Sequence, residues 1–222
     1  MKPSEFARTF DVSRETVDRL ETYASLLKRW QKTINLVAPN TLDDVWHRHF
    51  ADSAQLFARI PEKARHLMDL GSGGGFPGLV LAILAAEKRS SNAGSGGLHV
   101  TLVESDSRKA AFLREVARQT GIAVDIMSTR IESITNSANV ASVDVITARA
   151  LAPLARLFEL VEPLFEPRTV ALFLKGKTVN EEVEGARQDW EFGLVLQESL
   201  TDADARIAVI RQLKRKKGGL IP

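Results

Sequence analysis

One stretch constrains the fold more than any other: His66-Leu-Met-Asp69-Leu-Gly71-Ser-Gly73-Gly-Gly75-Phe-Pro77-Gly78. A short apolar strand ends in an acid, glycines turn the chain, and a helix begins at or near Pro77, whose missing N–H costs nothing in a first helical turn. Glycines let the backbone come close to a ligand, and the helix start offers free N–H groups. A strand–glycine–helix unit of this kind belongs in a doubly wound sheet. It places a nucleotide-like ligand at the carboxyl end of the first strand.

The rest of the chain agrees with such a sheet. After His66–Leu70, strands are expected at Leu98–Glu104, Ala123–Met127, Val143–Thr147, Val170–Leu174, Gly193–Gln197 and Ile207–Ile210. Amphipathic stretches lie between the first five, for instance Ser107–Thr120 with Ala110, Leu113, Val116 and Ala117 on one face. The alternation predicts an α/β fold, a Rossmann-like, seven-stranded, mostly parallel sheet with helices on both sides. No convincing helix separates the last two strands, so an antiparallel edge is expected there. Residues 1–60 read as an N-terminal helical cap, with one helix from its N-cap Ser13 to Trp30 and a second across roughly 42–58. Residues 61–213 then form the α/β domain and 214–222 a basic tail, the whole making one compact unit. Arg89–Gly97 (RSSNAGSGG) reads as a flexible surface loop.

Composition narrows the chemistry. None of the 222 residues is cysteine, which excludes disulfides, a thiolate nucleophile, cysteine-held zinc and iron–sulfur clusters. His47, His49, His66 and His99 lack metal-ligand spacing, so no metal is expected. With no apolar leader and no run as long as a membrane span, the chain reads as cytoplasmic, without a membrane partner. Lys plus Arg number 30 against 28 Asp plus Glu, a net charge of +2. Six of those cations fall in the acid-free segment 206–217 (RIAVIRQLKRKK), and the remainder of the chain carries −4. The basic character is therefore local. It fits a polyanion partner such as nucleic acid, and equally a solvated tail.

Two cofactors compete for the glycine loop. Gly73-Gly-Gly75-Phe-Pro-Gly78 satisfies G-x-G-x-x-G, the pattern of NAD(P)-dependent oxidoreductases. A pyrophosphate, however, wants N–H groups without negative charge, and Asp69 stands two residues before Gly71. An acid suits S-adenosylmethionine, whose sulfonium and ammonium are cationic. Glu104, ending the second strand, can accept both ribose hydroxyls of either cofactor. It follows Gly71 by 33 residues instead of the usual ~20, and Arg89–Gly97 accounts for the excess.

Asp69-x-Gly71-x-Gly73-x-Gly75 resembles the first motif of S-adenosylmethionine-dependent methyltransferases. From Tyr23 to Arg211 the resemblance becomes more specific. It runs through Tyr23-Ala-Ser-Leu-Leu-Lys-Arg-Trp30, Asn35-Leu36, Arg48-His49-Phe-Ala-Asp52-Ser53 and Leu102-Val-Glu104. It continues with Lys109, Phe112-Leu113, Arg130-Ile131-Glu132, Asp144-Val-Ile-Thr-Ala-Arg149-Ala150 and Leu174-Lys175-Gly176. In this order the motifs are similar to those of the bacterial 16S rRNA (guanine-N7)-methyltransferase G family, also called the glucose-inhibited division protein B family.

The resemblance implies an S-adenosylmethionine-type methyltransferase fold and methylation of guanine N7 in the decoding-region loop of 16S rRNA. The substrate would be the 30S subunit or an assembly intermediate. Gly71 and Phe76 would line S-adenosyl-L-methionine beside Asp69, Gly73 and Gly75, with Glu104 on the ribose and Ile131 and Glu132 flanking the adenine. Arg149 is the catalytic candidate, at the junction of cofactor and base. Arg48, His49, Asp52 and Ser53 would bring the N-terminal helices to the substrate. Lys175, on the same strand edge as Arg149, is expected to face RNA, and Lys214 and Arg215 to add a basic grip. Arg48 and Asp52, four apart, also fit a plain surface ion pair. Three features depart from the family pattern: the Arg89–Gly97 insertion, Gly74, and the Lys214–Lys217 run. Guanine N7 carries an unprotonated lone pair, so the absence of a nucleophile–base pair agrees with this chemistry. A ribosome-assembly factor that binds RNA and cofactor without turnover stays open beside it.

Overall fold

The computed structural model describes residues 1–91, 97–135 and 142–216, within which seven strands form one sheet. In chain order they are β1 (His66–Leu70), β2 (His99–Val103), β3 (Asp125–Met127), β4 (Val145–Arg149), β5 (Val170–Lys175), β6 (Trp190–Glu198) and β7 (Arg206–Arg215). The helices are α1 (Pro3–Phe10), α2 (Arg14–Trp30), α3 (Asp52–Ala54), α4 (Gly78–Ser91), α5 (Ser107–Thr120), α6 (Ile131–Thr135), α7 (Leu154–Val161) and α8 (Val179–Asp189). Across the sheet the order is β3-β2-β1-β4-β5-β7-β6. The first five strands are parallel, and β7 runs antiparallel between β5 and β6. β2 and β3 extend to one side of β1, and β4 and β5 to the other. The crevice of such a sheet opens at that switch, beyond the carboxyl ends of β1 and β4.

Both faces are covered, which is why the central strands are apolar on both sides. Leu67, Leu102, Val145 and Leu172 pack with Phe6, Leu20, Tyr23, Leu79 and Leu113 on one face. Met68, Ile146, Phe173 and Ile210 pack with Leu154, Phe158 and Val183 on the other. The N-terminal helices thus share the core of the first face. Local signals set the helix ends as expected: the Ser13 hydroxyl accepts the Thr16 N–H at 3.3 Å, and Gly121 ends α5 at φ 66°.

Several boundaries differ from expectation. The single helix across 42–58 is instead a 3₁₀ turn (Pro39–Asp44), a π turn (Trp46–Ala51), α3 and a second 3₁₀ turn (Phe57–Arg59). The extra residue in the π turn lets His49, Phe50 and Ala51 all bury. β4 lies two residues later than expected, because it stays paired with β1 as far as Ala148, opposite Leu70, and with β5 as far as Arg149, opposite Leu174. α1 and α8 add to the expected elements. α4 extends through Ser91, and most of the Arg89–Gly97 segment lies outside the described residues. The largest correction concerns the basic end. β7 does not stop at Ile210 but continues to Arg215, so Lys214 and Arg215 belong to the sheet. Lys217 lies outside the described residues.

Candidate active site

The glycine loop leaves β1 at the switch point. Gly71, Gly73 and Gly75 have φ of 66°, 56° and 92°, a region in which a Cβ is penalised. At Gly71 a Cβ would also stand 2.6 Å from Leu151 Cδ1, whereas at Gly73 it would enter open space, 3.8 Å from Gly71 O. Glu104 closes the loop, accepting the Gly73 N–H and the Asp106 N–H, both at 2.8 Å, on its two oxygens. An ionised carboxylate keeps a further lone pair on each oxygen, so each can still accept a hydroxyl. Meanwhile the Gly73 N–H is committed to Glu104 and the Gly75 N–H to Ser72 O at 2.7 Å. The loop fits the vicinal hydroxyls of a nucleoside. It does not fit a pyrophosphate, and the dinucleotide alternative loses its ground.

Asp69, expected among the cofactor-binding residues, stands buried beneath the loop. It is fully buried opposite Thr147, whose hydroxyl it accepts at 2.7 Å. Its other oxygen has no hydrogen-bond partner among the described residues. A Cβ on Gly78 would lie 2.5 Å from Asp69 Cβ, so the first turn of α4 rests directly on this residue. Burial pushes the carboxyl up to about 6 against the lowering effect of the Thr147 hydroxyl. Asp69 braces the loop.

Phe76 joins the loop to the N-terminal segment. Tyr23 stacks on it at 5.3 Å and 10°, His49 at 4.8 Å and 24°, and the Arg149 guanidinium carbon stands 4.8 Å from its centroid. The Tyr23 hydroxyl donates to Gly74 O. His49 is buried and hydrogen-bonded through Nε2 to Thr41 Oγ1 at 2.8 Å, so it does not face RNA. Burial first, then the charges of Arg149 and Arg48, lower its pKa to about 3. Unfolding restores a value near 6.5, so folded His49 binds fewer protons between about 3 and 6.5. Its contribution is complete above pH ~6.5 and fades as acid is added. Wild type is expected to lose about 2 kcal/mol more than His49→Gln between pH 7 and pH 5. Parallel pH dependences in denaturant titrations would refute a neutral buried imidazole.

Beside the loop, a cavity of about 490 Å³ opens at the ends of β4 and β5. Three ion pairs rim it: Arg48–Asp202 and Arg149–Asp52, both at 3.3 Å, and Lys175–Glu182 at 2.5 Å. Their side chains are 47% and 39%, 18% and 16%, and 9% and 16% exposed respectively. The outer pair therefore opens at little cost, while the innermost is fixed. Asp52 is itself held, accepting from Gln55 Nε2 at 3.0 Å and the Thr201 hydroxyl at 2.9 Å. Arg149 also donates to Arg48 O at 3.3 Å, and the following residue, Ala150, has φ 50°. The left-handed conformation at an alanine is strained, and it turns the chain away from β4 along the rim of the cavity.

The remaining expected residues divide. Glu104, Arg48, Asp52 and Arg149 gather at the crevice. Ser53 is fully buried, hence not RNA-facing. The Lys175 ammonium, expected to face RNA, is instead committed to Glu182 and to Ala152 O at 2.9 Å. Ile131 opens α6 within the core, and exposed Glu132 pairs with Arg156 at 3.0 Å. Lys214 and Arg215 lie at the opposite end of the sheet, since β7 pairs Arg206 with Lys175 but Arg211 with Val170. Sequence reasoning gave no role to Tyr23, Thr147, Glu182 or Thr201. For Thr147 a signal existed: it is a polar residue in the middle of a strand flanked by Val145, Ile146 and Ala148, on the same face as Arg149.

Comparison with known proteins agrees with this geometry. The family model described as rRNA small subunit methyltransferase G matches residues 16–212. A protein named ribosomal RNA small subunit methyltransferase G from Parvibaculum lavamentivorans is 47% identical over 96% of this chain and 90% of its own. Its namesake from Rhodospirillum rubrum is 45% identical over 97% of this chain and 100% of its own. Among solved structures, an O-methyltransferase from Bacillus cereus superposes with a TM-score of 0.56 at 16% identity, covering 90% of this chain and 92% of that one. This last likeness shows the fold, and the sequence matches show more: the chain belongs to the rRNA small subunit methyltransferase G family.

Proposed function

We propose that this protein transfers the methyl group of S-adenosylmethionine to N7 of a guanine in the decoding-region loop of 16S rRNA, in the 30S subunit or a precursor of it, in the cytoplasm. The observation that carries the reading is the juxtaposition of two half-sites. One is a glycine loop whose buried Glu104 retains acceptor capacity, the other an ion-pair-rimmed cavity, with Arg149 between them.

S-adenosylmethionine supplies an activated methyl group on a cationic sulfonium. Glu104 accepts the ribose hydroxyls, and the loop presents its backbone at Gly71 and Gly73. The cavity receives the guanine, unstacked at a cost of a few kcal/mol. Arg149, fixed over Phe76 and against Asp52, donates to guanine O6 or a flanking phosphate and so sets N7 in line with the methyl group. Orientation of this kind supplies about 7–11 kcal/mol of a barrier. No proton leaves N7, so the site needs no base. Positive charge moves onto the guanine; of the carboxylates around the cavity, Asp202 is freed to face it when Arg48 turns to a phosphate, while Asp52 and Glu182 stay paired with Arg149 and Lys175. Arg48, in the most exposed pair, exchanges Asp202 for a phosphate.

The test is transfer of labelled methyl to 30S subunits or naked 16S rRNA from cells lacking the gene. Incorporation into either supports the reading. Its absence, with S-adenosylhomocysteine bound, would establish the binding-only alternative. S-adenosylhomocysteine at 100 times its Kd is expected to stabilise the protein by ~2.7 kcal/mol, and NAD to have no effect.

A further inference from the structure

The basic segment near the end of the chain has a structural place, and it is far from the crevice. β7 carries it to the edge where the parallel strands begin. From Arg206, opposite Lys175, to Arg215 the strand spans about 30 Å. Near that end β7 bulges: the pairing register shifts between Glu191 and Gly193, and Gln212 adopts φ 54°. A bulge twists a strand and re-aims the side chains beyond it.

The residues beyond it are held in an ordered array. Arg215 pairs in register with Trp190, and its guanidinium carbon lies 5.5 Å from the Trp190 ring centroid. Arg187, in the last turn of α8, stands over Phe192 at 4.9 Å. Lys216 donates its backbone N–H to Asp189 O at 2.9 Å and its ammonium to Arg187 O at 2.5 Å, so the segment is latched onto the end of α8. Among the described residues, neither Arg187 nor Arg215 has an ion-pair partner. Both are exposed, as are Arg211, Lys214 and Lys216, although Lys214, in register with Glu191, points to the other face of the sheet from Arg215. The acids nearby are Glu184, Asp189 and Glu191, the last in register with Lys214.

A guanidinium resting on an aromatic face has lost much of its rotamer freedom yet keeps its outward N–H groups, an arrangement suited to phosphate oxygens. We infer that Arg187, Arg215 and Lys216 form a second RNA-contacting surface. It grips the phosphate backbone of the rRNA at a point remote from the methylated guanine. This rests on the rRNA reading above. A surface about 30 Å from the crevice cannot touch the target nucleotide. Its effect is to raise the local concentration of the correct RNA region at the crevice, leaving the chemical step alone.

The test uses the full chain with Arg187→Gln, Arg215→Gln and Lys216→Gln combined, which keeps polar side chains over both rings while removing the charge. Binding to naked 16S rRNA is expected to weaken at least tenfold. The slope of log affinity against log salt should become shallower by roughly 0.7–0.9 for each phosphate the variant no longer neutralises. KM for the RNA substrate should rise, while kcat at saturation and S-adenosylhomocysteine affinity remain those of wild type. An unchanged salt slope overturns the proposal, and so does a defect confined to 30S subunits, which would mark a contact with ribosomal protein. If wild type transfers no methyl group at all, the functional reading fails. The salt slopes still decide whether this surface binds RNA.

Discussion

Arg149→Ala is expected to lower kcat by about 10²–10³-fold while the protein remains folded. The magnitude is that of removing one preorganised donor aimed at the reacting group, about 2.7–4 kcal/mol. The geometry explains why a single side chain carries so much. Arg149 ends the strand next to β1, packs on Phe76 and is clamped by Asp52 and Arg48 O, so its fork is already oriented when RNA arrives. Stability suffers little, because Asp52 keeps Gln55 and Thr201 as partners after the arginine is gone. Arg149→Lys should recover only part of the loss, since an ammonium lacks the planar fork. Asp52→Asn, which removes the clamp's charge but keeps its shape, should reduce kcat less, by about tenfold (~1.4 kcal/mol). Wild-type kcat in Arg149→Ala would show that the residue does not stand at the methyl-transfer junction.

Gly75→Ala should be the more damaging change to the molecule as a whole, although it adds one methyl group. Gly75 has φ 92°, and a Cβ there would run into the Tyr23 hydroxyl and approach Leu113 Cδ2 and Leu79 Cβ to 3.1 Å. A left-handed conformation costs an L-residue roughly 1–2 kcal/mol, and forcing a methyl into a packed core costs about 1–3 more. The Tyr23–Gly74 hydrogen bond and the Tyr23–Phe76 stack would give way, displacing the loop that Glu104 holds. A stability loss of about 3 kcal/mol and at least tenfold weaker S-adenosylhomocysteine binding are expected. Gly121→Ala is the matched control: φ is 66°, but nothing lies within 4 Å of its Cβ. It should lose only about 1 kcal/mol and bind the cofactor normally. Equal losses in the two variants, measured by denaturant titration, would show that backbone strain alone, and not the Tyr23 contact, makes Gly75 necessary.

The parts of this design legible in the sequence are those encoded locally. The glycine loop, the Ser13 cap and the parallel sheet with an antiparallel edge follow from neighbouring residues. So does the place of Glu104 just past the end of β2, whereas Arg149 ends β4 two residues beyond the expected Val143–Thr147 strand. What escaped depends on residues far apart in the chain. Asp69 looks like a ligand contact because it precedes the glycines, yet its burial is set by Thr147 and Gly78. Lys175 reads as an RNA-facing residue until Glu182 supplies its counter-charge. The π turn at Trp46–Ala51 serves to bury His49 against Phe76, so helical periodicity could not reveal it. Lys214 and Arg215 read as a free tail because charge runs usually are. Trp190, Gly193 and the bulge at Gln212 keep them in the sheet.

The central claim is tested most directly by mapping the methylated nucleotide after the purified protein acts on 30S subunits and naked 16S rRNA that lack the modification. N7-methylguanosine carries a cationic base that is cleavable after reduction, so strand scission locates it to a single residue. One new scission site is expected, at a guanine in the decoding-region loop, and it should appear about 10²–10³-fold more slowly when Arg149→Ala replaces the wild-type protein. Methylation at an exocyclic amine, a ribose hydroxyl or a pyrimidine would contradict it, as would a scission site that Arg149→Ala leaves undiminished.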